Sequence, residues 1–488
     1  MNLSPFVRDG TLIPLRGGLT FPISLSTNSK TVKDGSLFVA IPGTHHDGIV
    51  FIDEALRQGA NTIVVQGIVP QQLNYFHENY PTVSFFETRD ARKTLSLLAA
   101  AFYPLQPENC VAVTGTNGKT SVVSFMRQIW THLGIPAASL GTLGLIVERK
   151  PTPPPTGTKG INTPDSITLH EILQNLKEEH IEHLAFEASS HGLDQHRLDS
   201  VRLKAAVFTN LSNDHLDYHY TLEAYFNAKS RLFEELMCEN GYAVLNADIP
   251  EYKKLSSLCK KRGIPRITFG KAGETIQLLS STPQEGAQDI HLCVEGKPYR
   301  FTLPLVGEFQ VYNVMAALGA VIACGAPSEK AVEACAYLKG VPGRLEQVAP
   351  SIYIDFAHTP DGLSLALKAL RPHTKGKLWV VFGCGGNRDT LKRPMMGEIA
   401  NTLADEIIIT DDNPRHEDPA DIRQQILAKC LRARENSPRS QAIQMAIEGM
   451  DANDVVLIAG KGHETYQLVG DQIIPFNDSE EVQKCMKR

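Results

Sequence analysis

The stretch that most constrains this chain is Val111-Ala-Val-Thr-Gly-Thr-Asn-Gly-Lys-Thr120. An apolar run through Val111 and Val113 stops at Thr114-Gly115, turns through Thr116-Asn117-Gly118, and opens into a helical pattern from Lys119. Strand, glycine loop and helix in that order form a phosphate-binding loop. The glycines let backbone N–H groups close on phosphate oxygens, and the helix start adds its own unpaired donors. Lys119 can reach the outer phosphates, and the Thr120 hydroxyl suits magnesium. The common spacing has a glycine where Val113 stands, so this is the shorter Gly-x-x-Gly-Lys-Thr form. A chance glycine-rich turn would have to explain strand, loop, lysine and threonine all falling in the right order. The stretch reads as an ATP site made by Gly115, Thr116, Asn117, Gly118, Lys119, Thr120 and Ser121.

One such loop accounts for a fraction of 488 residues, too many for one ordinary core, so two to four domains are expected. With 42% hydrophobic and 21% charged residues the chain reads as soluble and globular. A net charge of −6 argues against a nucleic-acid partner, because neutralising phosphates needs a basic face. No apolar run is long enough to span a bilayer, and Met1-Asn-Leu-Ser-Pro5 lacks the basic start and apolar centre of a signal peptide. The nine cysteines are scattered and form no Cys-x-x-Cys, which points to a reducing cytoplasm with neither disulfide framework nor zinc site.

The expected organisation is α/β in three domains: a small α/β domain over 1–106, a central parallel sheet carrying the phosphate loop over 107–339, and a Rossmann-like domain over 340–488. In the first, Ser36–Ile41 and Ala60–Val65 read as strands, and Ile52–Gly59 and Ala91–Phe102 as helices. Prolines at 104 and 107 mark a linker. In the second, the proline-rich stretch 151–158 can hold neither helix nor central strand. Leu169–Leu176 resumes helical spacing, and His183–Glu187 and Ala205–Thr209 read as buried parallel strands with polar ends. Residues after about 270 carry a weaker signal, a β-ribbon around His291–Leu303. In the third, Ser351–Asp355, Leu378–Phe382, Glu406–Thr410 and Val455–Ala459 are four strand candidates separated by helical stretches.

In an open α/β sheet ligands sit beyond the carboxyl ends of the strands, so the polar tails carry the functional weight. Glu187-Ala-Ser-Ser-His191 is placed to act on magnesium, with Ser189, Gln195 and Arg197 on an anionic or sugar-bearing substrate; a capped strand-to-helix turn reads equally well. Asn210-Leu-Ser-Asn-Asp-His-Leu-Asp-Tyr-His219 offers oxygen and imidazole ligands, although magnesium prefers oxygen, and spacing alone also allows a polar loop with a structural histidine. Lys229 says nothing by itself. Arg344, on the turn Val341-Pro-Gly-Arg344, could swing onto a phosphate or belong to a surface linker. Asp411-Asp-Asn-Pro-Arg-His416 could grip a zwitterion, Arg415 on its carboxylate and Asp412 with Asn413 on its ammonium, with Pro414 limiting the backbone. Gly460-Lys-Gly-His-Glu464 and Gly385-Gly-Asn-Arg388 supply a matching glutamate and arginine. Three polar loops at neighbouring strand ends favour a ligand site.

Together these motifs resemble the Mur ligase family over nearly the whole chain and in order. Thr114–Thr120, Glu187–Gly192, Asn210–Asp217, Gly343–Glu346, Asp355-Phe-Ala-His-Thr-Pro-Asp361 and Asp34-Gly-Ser-Leu-Phe-Val-Ala40 match family motifs. Asp412-Asn-Pro-Arg415 is similar to the signature of the members that add meso-diaminopimelate, where lysine-adding members differ. The resemblance implies an ATP-dependent amide ligase of cytoplasmic peptidoglycan precursor synthesis, expected as a monomer. It would join meso-2,6-diaminopimelate to the D-glutamate of UDP-N-acetylmuramoyl-L-alanyl-D-glutamate through an acyl phosphate. Alternatives are L-lysine as acceptor, folylpolyglutamate synthesis, or a P-loop switch or kinase without ligase activity. The uridine-side motifs speak against folate and Asp412–Arg415 against lysine.

By the same resemblance Thr27, Ser29, Thr44, His45 and His46 would contact the uridine diphosphate. Asn162, Thr163, Ser189, Gln195 and Arg197 would hold the muramoyl-dipeptide. Magnesium would meet Thr120, Glu187, His215 and Lys229, the last carried as a carbamate that supplies anionic oxygen. Lys119, Lys229, His215 and Arg344 form the implied catalytic set. Asn313 would meet adenine, Arg344 the phosphates and Asp355 the ribose, with His358 nearby. Arg388, Asp412, Asn413, Pro414, Arg415, Gly460 and Glu464 would take the diaminopimelate. Two departures stand out: Asn28-Ser29-Lys30 replaces the usual Asp-Ser-Arg, and Phe356 stands where tyrosine is often found.

Overall fold

The computed structural model describes residues 1–43, 47–147 and 162–487. Thr44, His45, His46 and the proline-rich stretch 151–158 therefore lie outside the described residues. The architecture is α/β in three domains built on three main sheets. By residue contacts the chain forms two compact units: Met1–Lys119 with Gly134–Ile267 and Ala323–Gly325, and Thr120–Leu133 with Thr268–Ile322 and Ala326–Arg488. Among the described residues no helix is long and apolar enough to cross a membrane.

The first unit begins with a five-stranded sheet in the order Ile13–Arg16, Ser84–Glu87, Ala60–Val65, Ser36–Ala40, Ser24–Ser26. Only the pair Ile13–Arg16 with Ser84–Glu87 is antiparallel. Ser36–Ala40 is buried at every position, as an apolar run covered on both faces should be. The helix Ala91–Phe102 begins where Asp90 accepts from Lys93 N, and its Leu95 and Leu98 pack on Leu37, Val39 and Val64.

The phosphate-loop strand Asn109–Thr114 lies between Leu203–Phe208 and His183–Glu187, parallel to both. Register sets Glu187 level with Val113, and Phe208 level with Thr114. Three strands thus end at one edge and deliver their polar tails there. The helix Ser166–Glu178, capped by Asp165, covers this sheet with Leu169, Ile172, Leu173 and Leu176. Those spacings fall on one helical face. The helix is longer than the expected Leu169–Leu176 because Asp165 satisfies the N–H groups of Ile167 and Thr168 and lets it start earlier.

In the second unit a six-stranded sheet runs Glu346–Ala349, Ile352–Asp355, Val455–Ala459, Leu378–Phe382, Glu406–Ile409, Arg434–Glu435. It is parallel except for the first pair. The four expected strands are all present, within a residue of their predicted ends. The expected ribbon is a three-stranded antiparallel meander, Ile276–Gln284, Ala287–Val294 and Lys297–Leu303. Its first strand escaped the sequence pattern because Ser280-Ser-Thr-Pro-Gln284 is polar and mostly exposed, and a register shift after Leu278 breaks the alternation.

Candidate functional site

Gly115 has φ +142°, and a Cβ there would lie 2.0 Å from Thr209 Oγ1, so only glycine lets the loop pass this strand end. Thr209 Oγ1 donates to Asn117 O at 2.7 Å, Asn117 N donates to Asn210 Oδ1 at 2.9 Å, and Thr116 N donates to Asn210 O at 2.9 Å. The tail of the neighbouring strand therefore holds the loop open. Inside it, Lys119 Nζ donates to the carbonyls of Gly115 and Thr116, both at 2.8 Å. Lys229 Nζ reaches the same Gly115 carbonyl at 2.9 Å, is 1% exposed, and lies 4.3 Å from the centre of the Tyr225 ring. Burial, reinforced by the like charge of Lys119 and opposed by Asp214, holds the Lys229 amine well below the usual lysine range. A lysine that looked uninformative in sequence is thus one of two whose Nζ atoms meet on a single carbonyl.

Glu187 is almost wholly buried and accepts from Thr142 N at 2.8 Å and Thr142 Oγ1 at 3.1 Å. Thr142 Oγ1 also meets Asn162 Oδ1 at 3.0 Å. Thr163 Oγ1 donates to Glu187 O at 2.9 Å and accepts from Ser189 N at 3.0 Å, while Ser189 Oγ caps Gly192 N. Arg197 reaches Thr163 O and Gln195 Oε1, each at 2.7 Å. The structure therefore gathers Glu187, Asn162, Thr163, Ser189, Gln195 and Arg197 into one hydrogen-bonded group. Thr142, which joins two of them, gave no sequence signal.

His215 sits at φ +53° with its side chain 45% exposed, its ring edge-on to His191 and 6.1 Å from Tyr225. His215 and Lys229 thus flank the same aromatic ring. Among the described residues no group of three or more His, Cys, Asp or Glu is arranged to hold a metal. Magnesium does not require one: it keeps several waters and is usually held by one or two carboxylates with substrate phosphates. A buried carboxylate, oriented by Thr142 and level with the phosphate-loop strand, fits that habit.

The second unit carries Thr120 and Ser121, both buried at the start of their helix. Arg344 Nη2 donates to Thr120 Oγ1 at 3.3 Å, and its guanidinium lies 4.9 Å from the Phe356 ring centre. Asp355 Oδ2 accepts from Leu345 N at 2.7 Å, and burial pushes its carboxyl up to about 6 although Arg344 pulls the other way. Asn313 is buried and donates to Gln310 Oε1 at 3.0 Å, and Gln310 donates to Arg344 O at 3.2 Å. His358 Nδ1 pairs with Phe356 O at 2.8 Å. Arg344, Asn313 and Asp355 are thereby tied together, and the "linker" arginine is a fixed one.

The three strand-end loops of the last domain interlock. Arg415, at φ +53°, donates from Nη1 to Gly386 O at 2.8 Å and pairs by backbone with Leu468 and Gly470. Asn413 Nδ2 donates to Glu464 Oε2 at 2.9 Å. Gly460 has φ +113°, and a Cβ there would stand 2.8 Å from Asp412 Oδ2. Pro414 is buried and Arg388 is exposed on the loop after Gly385. One expectation needs correction. Asn413 Oδ1 already accepts from Leu468 N at 3.0 Å and Lys461 Nζ at 3.2 Å, so this side chain has no oxygen left for an ammonium and can offer only N–H. Lys461, inside the quoted Gly460–Glu464 stretch but given no role there, is wholly buried.

In the first domain Ser29 Oγ donates to Glu54 Oε2 at 2.5 Å, and Thr27 is exposed. Asn28 Oδ1 accepts from Lys30 N at 3.0 Å, so the residue that departs from the family pattern still caps its turn.

Three family models match in sequence: the Mur ligase family catalytic domain over residues 24–103, the Mur ligase middle domain over 113–321, and the Mur ligase glutamate ligase domain over 343–462. A relative from Caulobacter vibrioides, named UDP-N-acetylmuramoyl-L-alanyl-D-glutamate–2,6-diaminopimelate ligase, is 44% identical over 99% of this chain and 97% of its own. One of the same name from Bradyrhizobium diazoefficiens is 46% identical over 94% of this chain and 93% of its own. A solved structure of a ligase of that name is similar with a TM-score of 0.70 at 30% identity, covering 96% of this chain and 95% of the other. With three family models matched in order along it and a relative 44% identical over 99% of its length, the chain belongs to the Mur ligase family.

Proposed function

We infer that this chain joins meso-2,6-diaminopimelate to the D-glutamate of UDP-N-acetylmuramoyl-L-alanyl-D-glutamate, cleaving ATP to ADP and phosphate. The observation that carries the acceptor is the interlock of Asn413 with Glu464 and of Arg415 with Gly386, which gathers the Asp412–Arg415 signature onto its neighbouring loops. The full-length relatives of that name support the rest. The domains run 1–106 for the uridine diphosphate end, 107–339 for ATP and 340–488 for the amino acid. The enzyme works as a cytoplasmic monomer, with no nucleic acid or membrane partner.

A carboxylate is a poor acyl donor because its leaving group would be oxide, which is the chemical reason for ATP. The γ-carboxylate of D-glutamate attacks the γ-phosphorus and ADP departs, leaving an acyl phosphate. The neutral amine of the acceptor attacks that carbonyl, loses a proton, and phosphate leaves from the tetrahedral adduct. The protein's task is positioning and charge neutralisation. Gly115–Ser121 present N–H groups and hydroxyls to the phosphates, Lys119 and Arg344 meet the charge moving onto the transferred group, and Asn313, Asp355 and His358 hold the nucleoside. Thr120, Glu187, His215 and a carbamylated Lys229 would hold magnesium, which when bound neutralises phosphate oxygens. Thr27, Ser29, Thr44, His45 and His46 take the uridine diphosphate, and Asn162, Thr163, Ser189, Gln195 and Arg197 the muramoyl-dipeptide.

Phosphate release with ATP, magnesium and the nucleotide dipeptide tests this directly. Release is expected with meso-diaminopimelate and not with L-lysine or without acceptor. Release with lysine instead would keep the mechanism and overturn the acceptor, and acceptor-independent release would overturn the ligase. Arg415→Ala is expected to raise the KM for diaminopimelate roughly 30-fold or more while leaving that for ATP unchanged. A truncated partner in a desolvated charged contact costs about 2–5 kcal/mol. An unchanged acceptor KM would remove Arg415 from the site.

A further inference from the structure

The strand Val455–Ala459 ends at Gly460, and the next side chain turns into the domain instead of outward. Lys461 is 0% exposed, with Nζ 2.9 Å from Glu464 Oε2 and 3.2 Å from Asn413 Oδ1. Asn413 Nδ2 closes the ring to the same Glu464 Oε2 at 2.9 Å. An ammonium has three donors and no acceptor, and an amide has one oxygen and two N–H groups. Within this ring each of those atoms has one possible orientation. Asn413 Oδ1 faces two donors, Lys461 Nζ and Leu468 N, so its amide cannot flip without setting N–H groups against N–H groups. Glu464 Oε2 takes two donors, which leaves Oε1 as the oxygen still able to accept.

We propose that Lys461 is a positioning residue that sorts the two charges at the far end of the amino-acid acceptor, holding Glu464 to take its ammonium and Asn413 to offer N–H to its carboxylate. The proposal rests on the acceptor assignment above and deepens it. Lys461 makes no contact with the acceptor itself. It acts through Glu464 and Asn413, and with Arg415 it leaves a donor side and an acceptor side at the mouth of the same loops. Without it, the Asn413 oxygen keeps only the Leu468 N–H, so the amide is held less firmly, and Glu464 loses the charge that fixes its carboxylate. The site would then still bind an amino acid, but would no longer distinguish an end carrying both charges from an end carrying one.

The test compares wild type, Lys461→Met, Glu464→Gln and the double variant, each with meso-diaminopimelate and with 2-aminopimelate, which keeps the far carboxylate and lacks the far ammonium. Lys461→Met is expected to raise the KM for diaminopimelate about 10- to 100-fold, the range of a lost hydrogen bond to a charged group. The KM for ATP and for the nucleotide dipeptide, and the thermal midpoint of the ATP complex, should not follow. The preference for diaminopimelate over 2-aminopimelate should collapse in Lys461→Met, and the double variant should be no worse than the worse single one. Multiplying effects in the double variant, or a preserved preference, would overturn the proposal. Should Lys461→Met not fold, Lys461→Gln carries the same comparison, and failure of both to fold would assign Lys461 to the fold alone. Wild-type enzyme that ignores diaminopimelate would instead sink the acceptor assignment, so the two failures are distinguishable.

Discussion

Lys229→Ala is expected to lower kcat about 10²- to 10³-fold, the range seen when one preorganised electrostatic group is removed from a reacting site. The effect follows from where the amine sits. Its Nζ shares the Gly115 carbonyl with Lys119 and has the face of Tyr225 beside it. Two ammonium groups a few ångströms apart repel by about 4 kcal/mol at an effective dielectric near 20. Burial and that repulsion both hold the Lys229 amine well below its ordinary range, which raises the fraction carrying a free lone pair at neutral pH. A neutral amine adds carbon dioxide: its lone pair forms the N–C bond, one C=O pair moves to oxygen, and a proton leaves the nitrogen. The product would be an anion beside Lys119 instead of a second cation, so the repulsion would become attraction and the site would gain an oxygen donor. Labelled bicarbonate should therefore give a carbamate carbon resonance in the free protein that is absent from Lys229→Ala. Formate or acetate should restore part of the variant's turnover by supplying the missing oxygen. A variant with near-normal turnover, or wild type without the labelled signal, would defeat the carbamate.

How much of this was legible beforehand divides along one physical line. Strand ends such as Asn109–Thr114, His183–Glu187 and Leu378–Phe382 could be read because continuous burial writes an apolar run into the chain. The phosphate loop and Glu187 stand at the ends of such runs, and their placement is a matter of one strand register: Val113 beside Glu187 and Thr114 beside Phe208. Residues that act by bracing others left no comparable trace. Thr142 holds Glu187 from a hairpin turn between Ala137–Gly141 and Gly144–Val147, and nothing in its neighbourhood sets it apart from any turn threonine. Lys461 lay inside a quoted motif, yet its burial depends on a backbone turn that spacing does not reveal. The Asn413 correction has the same origin. A sequence shows that an amide is present but not which of its atoms are already satisfied, and only the donors from Leu468 and Lys461 decide that. The first strand of the meander was missed for the opposite reason, since past Leu278 it is polar and mostly exposed and carries no apolar run.

Lys119→Ala should cost more, on the order of 10³-fold or greater in kcat, with binding of the nucleotide dipeptide spared. In phosphoryl transfer the protein does little covalent work, and cations that meet the moving charge are worth about 10³–10⁵ in rate. Lys119 is held for that role at both ends: its backbone opens the helix Lys119–His132, and its ammonium rests on the carbonyls of Gly115 and Thr116. An alanine variant removes the charge outright, takes the lysine donor from the Thr116 carbonyl and leaves the Gly115 carbonyl to Lys229 alone. The same substitution has a second consequence. Lys119 is one of the two causes that depress the Lys229 amine, so its removal raises that amine's basicity, lowers the neutral fraction and weakens the labelled carbamate signal. The two lysines should therefore be non-additive: Lys119→Ala combined with Lys229→Ala should be little worse than Lys119→Ala alone. Steady-state turnover, the carbamate resonance and isothermal titration with the nucleotide dipeptide measure the three effects separately. Turnover retained in Lys119→Ala would sink the phosphate loop as the ATP site, and strict multiplication in the double variant would separate Lys229 from it.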